Sequence, residues 1–193
     1  GEDYEVTAHI TLEQAARGAE VDVSLSIPEP GDQGYLQRVP HAFKARIPKG
    51  ATTGDRLRVP GKGGKGFNGG RNGDLYLNVS LLPHRLFRVS GHDLYLDLPV
   101  APWEAVLGAS VEVPTLDGDR VKVKVPANTP SGRVLRVKGH GVSVKGKKGD
   151  LLATILIVTP DTLSDASKKL IQEFAAANEG DNPRDTLYGK AAL

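Results

Sequence analysis

Apolar and polar residues alternate with a period of two along most of this chain. "EVTAHI" (5–10), "AEVDVSLSI" (19–27), "FKARI" (43–47), "SVEV" (110–113) and "RVKVKV" (120–125) each place every second side chain on one face. That alternation predicts strands with one face buried and the other wet. Two short stretches break the period. Leu12–Arg17 and Pro102–Leu107 read as single helical patches, stopped by Gly18 and Gly108. Asp117-Gly118, between "SVEVPTL" and the next alternating run, is a type I′ hairpin signal. Only "SDASKKLIQEFAAAN" (164–178) carries a longer helical stripe, with Leu170, Ile171, Phe174 and Ala177 on one side. Thr162-x-x-Asp165 reads as its capping box and Gly180 as its stop.

The pattern repeats. "ARIPKGATTGDRLRVPGKG" (45–63) aligns with "VKVPANTPSGRVLRVKGHG" (123–141), and "ITLEQAARGAEVDV" (10–23) with "VAPWEAVLGASVEV" (100–113). "GDLYL" (73–77) aligns with "GDLLA" (149–153). One supersecondary unit therefore occurs twice. The first copy has an insertion, "PEPGDQGYLQRV" (28–39), and a longer Gly-rich run; both are expected in exposed surface loops. The fold class expected is mostly β. Two tandem β-sandwich-like domains of one repeat, each with one short helix, span 1–90 and 91–160. A C-terminal amphipathic helix and tail follow at 161–193.

Composition narrows the chemistry. The chain has 193 residues and only ten aromatic ones, so its cores must rest on Val, Ile and Leu. Cysteine is absent, which excludes disulfides, thiolate zinc sites and Cys nucleophiles. Methionine is absent too, and the chain reads as a piece of a longer protein. No apolar run approaches the roughly 20 residues of a membrane span, so no membrane partner is expected. The net charge of +2 conceals two basic blocks. Residues 44–74 hold eight Lys/Arg against two Asp, and residues 120–149 hold nine Lys/Arg and no acid.

"GKGGKGFNGGRNGD" (61–74) contains the bare spacing Gly61-x-Gly63-x-x-Gly66 of a dinucleotide-binding turn. Such a turn must open a helix, whose N-terminus binds the pyrophosphate. Here Asp74 leads into "LYLNVSLL", a strand pattern, and the second copy lacks the third glycine. The stretch reads as a hairpin loop. The five histidines (9, 41, 84, 92 and 140) show no metal-ligand spacing, and no Gly-x-Ser-x-Gly elbow occurs. Neither an enzyme nor a cofactor is expected.

The ordered set "ITLEQAARGAEVDV", "IPKGATTGDRLRVPGKG", "NGDLYL", "HRLF" and "DLPVAPWEAVLGASVEVPTLDG" resembles the C-terminal substrate-binding region of DnaJ-type co-chaperones. The resemblance covers essentially the whole chain. Without cysteine it is similar to the zinc-free class, and "PWEAVLG" and the tail "NPRDTLYGKAAL" to the bacterial curved-DNA-binding branch. The resemblance implies binding of unfolded or aggregation-prone polypeptides and their delivery to a DnaK-type ATPase. It further implies a homodimer joined by the C-terminal segment, here Leu163, Leu170, Ile171 and Phe174, and a bacterial cytoplasmic or nucleoid-associated protein. The family's His-Pro-Asp signature is absent from these residues, so this part is expected to hold client rather than trigger hydrolysis. By the same resemblance the client groove lies between strands 4–10 and 19–27, with Val6, Ala8, Val21, Val23, Leu25 and Phe87 as its residues.

The residues themselves are compatible with strand addition, because a small open sandwich leaves an edge strand with unpaired N–H and C=O groups. Each alternating Val or Leu also reads as ordinary core. Phe87, after the loop "LPHR", is expected to stand outside the core. A competing function is sequence-independent binding of double-stranded DNA through the basic hairpins, with Lys62, Lys65, Arg71, Lys145, Lys147 and Lys148 as contacts. A purely structural dimer module is the third reading.

Overall fold

The computed structural model describes residues 1–188, apart from the side chains of Pro30 and Asp32. The last five residues of the tail motif lie outside that range. In the first copy, strand β1 (Tyr4–Ile10) leads through helix α1 (Leu12–Arg17) into β2 (Ala19–Pro30), β3 (Leu36–Ile47), β4 (Arg56–Val59) and β5 (Leu75–Leu81). In the second, β6 (Arg88–Ser90) precedes β7 (Asp93–Val100), helix α2 (Pro102–Leu107), β8 (Ala109–Pro114), β9 (Arg120–Val125) and β10 (Val134–Val137). The small strands β11 (Ser143–Val144) and β12 (Lys147–Lys148) come before β13 (Leu151–Ile157). Helix α3 (Asp165–Ala177) follows.

Each copy faces a sheet with a hairpin. The first sheet has the order β1-β5-β4, and β1 runs parallel to β5. The second has the order β10-β13-β7-β6, and β7 runs parallel to β13. The opposing layers are the antiparallel hairpins β2–β3 and β8–β9. A short helix connects the layers because α1 and α2 each turn the chain from sheet to hairpin. Six residues are too few for a helix to stand alone. Helix α1 is closed at its start by Thr11 and Gln14, whose side chains bond each other's backbone N–H groups at 3.1 and 2.9 Å. It buries Leu12 and Ala15, and ends at Gly18 with φ of 75°.

Residues Gly1–Ile157 form one compact unit. The first copy's core is built from Ile10, Val23, Ile47, Leu75, Leu77 and Val79. The second copy's core, around Leu94, Leu96, Val113, Val125, Leu151 and Ile155, also takes in Leu12 of the first. The copies therefore meet across a shared apolar seam.

Three expectations are corrected. The insertion 28–39 is not a plain loop: it lengthens the hairpin, so β2 and β3 pair over 12 residues each where β8 and β9 pair over six. The turn at Asp117-Gly118 is not type I′. The ladder ends at Pro114↔Arg120, leaving a five-residue loop, and only Gly118 has a positive φ, 91°. A type I′ turn needs positive φ at both central residues. The cap of α3 is Ser164 rather than Thr162; its Oγ accepts the Ser167 N–H at 3.1 Å.

Residues from Val158 onward form a second unit. Within it, α3 carries Leu170, Ile171 and Phe174 on one side, all exposed, with Phe174 61% exposed.

Candidate functional site

Strands β1 and β2 border a groove of about 170 Å³. Its walls are residues 6–9 on one side and residues 21–24 on the other, so Val6, Ala8, Val21 and Val23 come together there. Among the described residues β1 pairs only with β5, and β2 only with β3. Both strands therefore present an unpaired edge beside the groove, the arrangement that accepts an added strand. The floor is shallow. Val23 is buried, while Val6, Ala8 and Val21 are half-buried and rest on Leu75, Leu77 and Ala45. Leu25 lies two residues further along the strand and packs on the same core cluster. His9, exposed, sits at the rim.

Phe87 is elsewhere. It is 4% exposed and belongs to the second copy's core with Leu94, Val142 and Leu12. The expectation that it stands outside the core is corrected. The reason is the adjoining "HRL", which forms a compact turn. His84 Nδ1 accepts the backbone N–H groups of Leu86 and Phe87 at 3.0 and 3.2 Å. The ring proton must then sit on Nε2, which donates to Glu13 Oε1 at 2.6 Å. The His84 and Phe87 rings lie 5.1 Å apart. Partial burial acts to raise the Glu13 carboxyl, but the bonds from His84 and from its own backbone outweigh it, and the group is held below the ordinary carboxylate value. This latch ties α1 to the chain entering the second copy. An aromatic after a Pro-containing loop gave no sequence signal to separate a core plug from a groove wall.

The amides of the nucleotide-turn glycines Gly61, Gly63 and Gly66 are already bonded within the protein. Gly61 N–H goes to Asp74 Oδ1 at 3.0 Å, Gly63 to the Gly73 carbonyl, Gly64 to the Glu2 carbonyl and Gly66 to Asn72 Oδ1. Amides already bonded inside the loop are not free for phosphate. A Cβ on Gly73 would fall on the Glu2 carbonyl oxygen, so close backbone approach explains that glycine.

Of the basic candidates, Lys62, Lys65, Arg71, Lys145, Lys147 and Lys148 are all exposed. The first three belong to the first copy's loop. Lys65 lies 3.6 Å from Glu29, and Lys62 stands 5.9 Å from the centre of the Phe43 ring. Lys145 precedes β12, which contains Lys147 and Lys148 and pairs with β11. Among the described residues, no group of three or more His, Cys, Asp or Glu converges as a metal ligand set would. None of their helices is long and apolar enough to cross a membrane.

Sequence reasoning missed one exposed feature. At the end of the lengthened hairpin Tyr35 and Leu36 are 74% and 75% exposed, and Phe67 in the Gly-rich loop is 83% exposed. The signal was present as apolar residues inside the insertion.

Comparison with known proteins follows the same outline. The family model described as DnaJ C terminal domain matches residues 4–160. The curved DNA-binding protein of Serratia proteamaculans is 40% identical over 185 residues, covering 95% of this chain and 60% of that protein. Its counterpart in Salmonella arizonae is 39% identical over 192 residues, covering 99% and 62%. The chain thus spans about three fifths of the length of these relatives. With two copies of one β unit in the matched order, and a family match running through both, the chain belongs to the DnaJ C-terminal domain family.

Proposed function

We propose that this chain is the client-holding part of a zinc-free DnaJ-type co-chaperone, which binds unfolded polypeptides in extended form and passes them to a DnaK-type ATPase. The observation that carries the reading is the groove between β1 and β2, apolar at its floor and bounded by two unpaired strand edges. An added strand gains main-chain hydrogen bonds from the edge and apolar burial from Val6, Ala8 and Val21. No bond is made or broken in this role, and no cofactor takes part. The chain acts as a homodimer through the α3 stripe, so that two grooves act on one client. Its setting is the bacterial cytoplasm.

The test is titration of an apolar peptide into the protein and into Ala8→Asp, with melting temperatures measured alongside. A charge on the half-buried groove floor should weaken binding about tenfold or more. A folded variant with unchanged affinity would remove the groove from the reading.

A second reading is favoured by the exposed lysines of the second copy's loop and by the name of the relatives, curved DNA-binding protein. In it, the basic loops contact duplex phosphates without reading bases.

A further inference from the structure

We propose that the distal half of the β2–β3 hairpin is a second client contact. In this proposal the exposed tip residues Tyr35 and Leu36, with Phe67 of the neighbouring Gly-rich loop, take apolar side chains of the same polypeptide whose main chain adds to β2. The proposal rests on the client-holding reading.

The two copies supply the comparison. Strands β5 and β13 are both seven residues long, so the sheets that the hairpins cover are alike in length. The first hairpin is nonetheless twice as long as the second. Its extra length ends in two large apolar side chains that are three-quarters exposed. Apolar groups gathered at one exposed place mark a contact surface more often than isolated ones do.

The Gly-rich loop is tied to the same arm. Glu29 accepts His41 Nε2 at 2.9 Å and lies 3.6 Å from Lys65 Nζ. Phe67 is two residues from that anchor and is the most exposed of the three. The first copy's loop thus lies beside the arm at Glu29, one residue from the Pro30–Leu36 end of the ladder, with Phe67 two residues further along the loop.

Prolines set where main-chain donation from β2 stops. Pro28 and Pro30 occupy alternate positions of β2, and Pro40 stands opposite Ser26 in the same alternate set. A proline has no N–H to give, so it is tolerated where that bond would point away from the partner strand. On β2 those positions face the free edge. Donors for an incoming strand are therefore Glu20, Asp22, Ser24 and Ser26, and there they end. Beyond Ser26 the edge offers a client no N–H, only the Pro28 and Pro30 carbonyls, so side-chain contact carries more of the binding. The four residue steps from Ser26 to Pro30, which pairs with Leu36, span about 13 Å. A client segment of about eight residues fills the donating edge, and about six more reach the tip.

The partner chemistry follows. Only a polypeptide supplies both the edge hydrogen bonds and a row of apolar side chains. Arg38, exposed, stands two residues from Leu36 on the arm, so an acidic residue beside the client's apolar end is favoured.

The experiment uses an apolar eight-residue peptide and two fourteen-residue forms of it. One is extended at the N-terminus and one at the C-terminus by an acidic, Leu- and Phe-containing segment, because an added strand can run either way. Each is titrated into the wild-type chain and into Tyr35→Ser/Leu36→Ser/Phe67→Ser. The three positions are exposed, so the melting temperature should hold. The expected result is that one longer peptide binds wild type at least about tenfold tighter than the short one, and that the triple variant loses this gain while binding the short peptide as before. A length gain that persists in the triple variant overturns the tip contact and leaves the groove standing. A wild-type chain that binds none of the three peptides overturns both.

Discussion

Asp74 and Asp150 hold the same station in the two copies. Asp74 accepts the Gly61 N–H at 3.0 Å and the Arg58 guanidinium at 2.7 Å. Asp150 accepts the Gly139 N–H at 2.8 Å and the Arg136 guanidinium at 2.6 Å. The backbone N–H of each aspartate goes in turn to another equivalent pair, Asp3 at 2.7 Å and Asp93 at 2.8 Å. The recurring "LRV" and "GD" segments are thus the two ends of one clamp, which closes the loop between its strands and anchors it to the start of β1 or β7.

The clamp predicts a specific acid sensitivity. Both carboxyls lie below their ordinary value, first through the glycine N–H and next through the arginine. A carboxyl whose value is lower folded than unfolded stabilises the fold above the unfolded value of about 4. That contribution is lost as pH falls through the folded value. Asp74→Asn/Asp150→Asn should therefore melt lower at pH 7, and its stability should fall less steeply than wild type between about pH 4 and pH 2. Urea denaturation across this range checks it. Parallel acid limbs would assign the acid sensitivity to other groups.

Phe87 should behave as a core residue. Phe87→Ala removes a 4%-exposed ring from the shared seam and should cost about 3–5 kcal/mol of stability. Phe87→Asp should prevent stable folding of the seam, since a charge there has no partner. Peptide affinity per folded molecule of Phe87→Leu should match wild type. Denaturation paired with peptide titration separates the effects: a weakened affinity at unchanged stability would return Phe87 to a client-contact role.

The period-two pattern and the internal repeat carried the strand set, both short helices and the symmetry of the copies. The groove candidates Val6, Ala8, Val21 and Val23 came from the family resemblance; alternation by itself showed only that Val6 and Ala8, and likewise Val21 and Val23, share one face of their strand. Phe87 was not, because sequence spacing does not register the His84 turn, which folds the ring back under α1. The insertion 28–39 reads as loop because its prolines and glycines mask a ladder. Pro28 and Pro40 are compatible with pairing when their missing N–H faces outward. The tip residues were hidden for the same reason, since their exposure is meaningful only on an ordered arm.

Any DNA binding should depend on charge and not on base sequence. Reversing Lys145, Lys147 and Lys148 to Glu should weaken binding of duplex DNA and flatten its salt dependence, by a slope change of roughly 0.9 for each phosphate that is no longer neutralised. Equal salt titrations for the variant and wild type would place the DNA outside this loop or remove it from the function.

The last prediction concerns assembly. In the unit from Val158 onward, α3 presents Leu170, Ile171 and Phe174 on one side, each about half exposed or more. Its opposite faces carry Lys168, Lys169 and Glu173, as expected for a helix that buries one stripe. A 13-residue helix is marginal by itself, so its order calls for a covering surface. Fully burying a Leu, Ile or Phe side chain yields about 1.5–3 kcal/mol, enough over three residues to favour association. A chain ending at Pro160 should therefore sediment as a monomer at concentrations where the longer chain is dimeric. Leu170→Ser/Ile171→Ser/Phe174→Ser should do the same without truncation, and both should keep the β-sheet signal and the melting of the first unit, whose cores lie before Val158. The dimer should also bind a client with two apolar segments more tightly than either monomeric form, by the gain expected of two linked sites. If the triple variant stays dimeric while the truncated chain is monomeric, another part of residues 161–193 makes the interface. If both stay dimeric, the interface belongs to Gly1–Pro160, and the stripe has a different role.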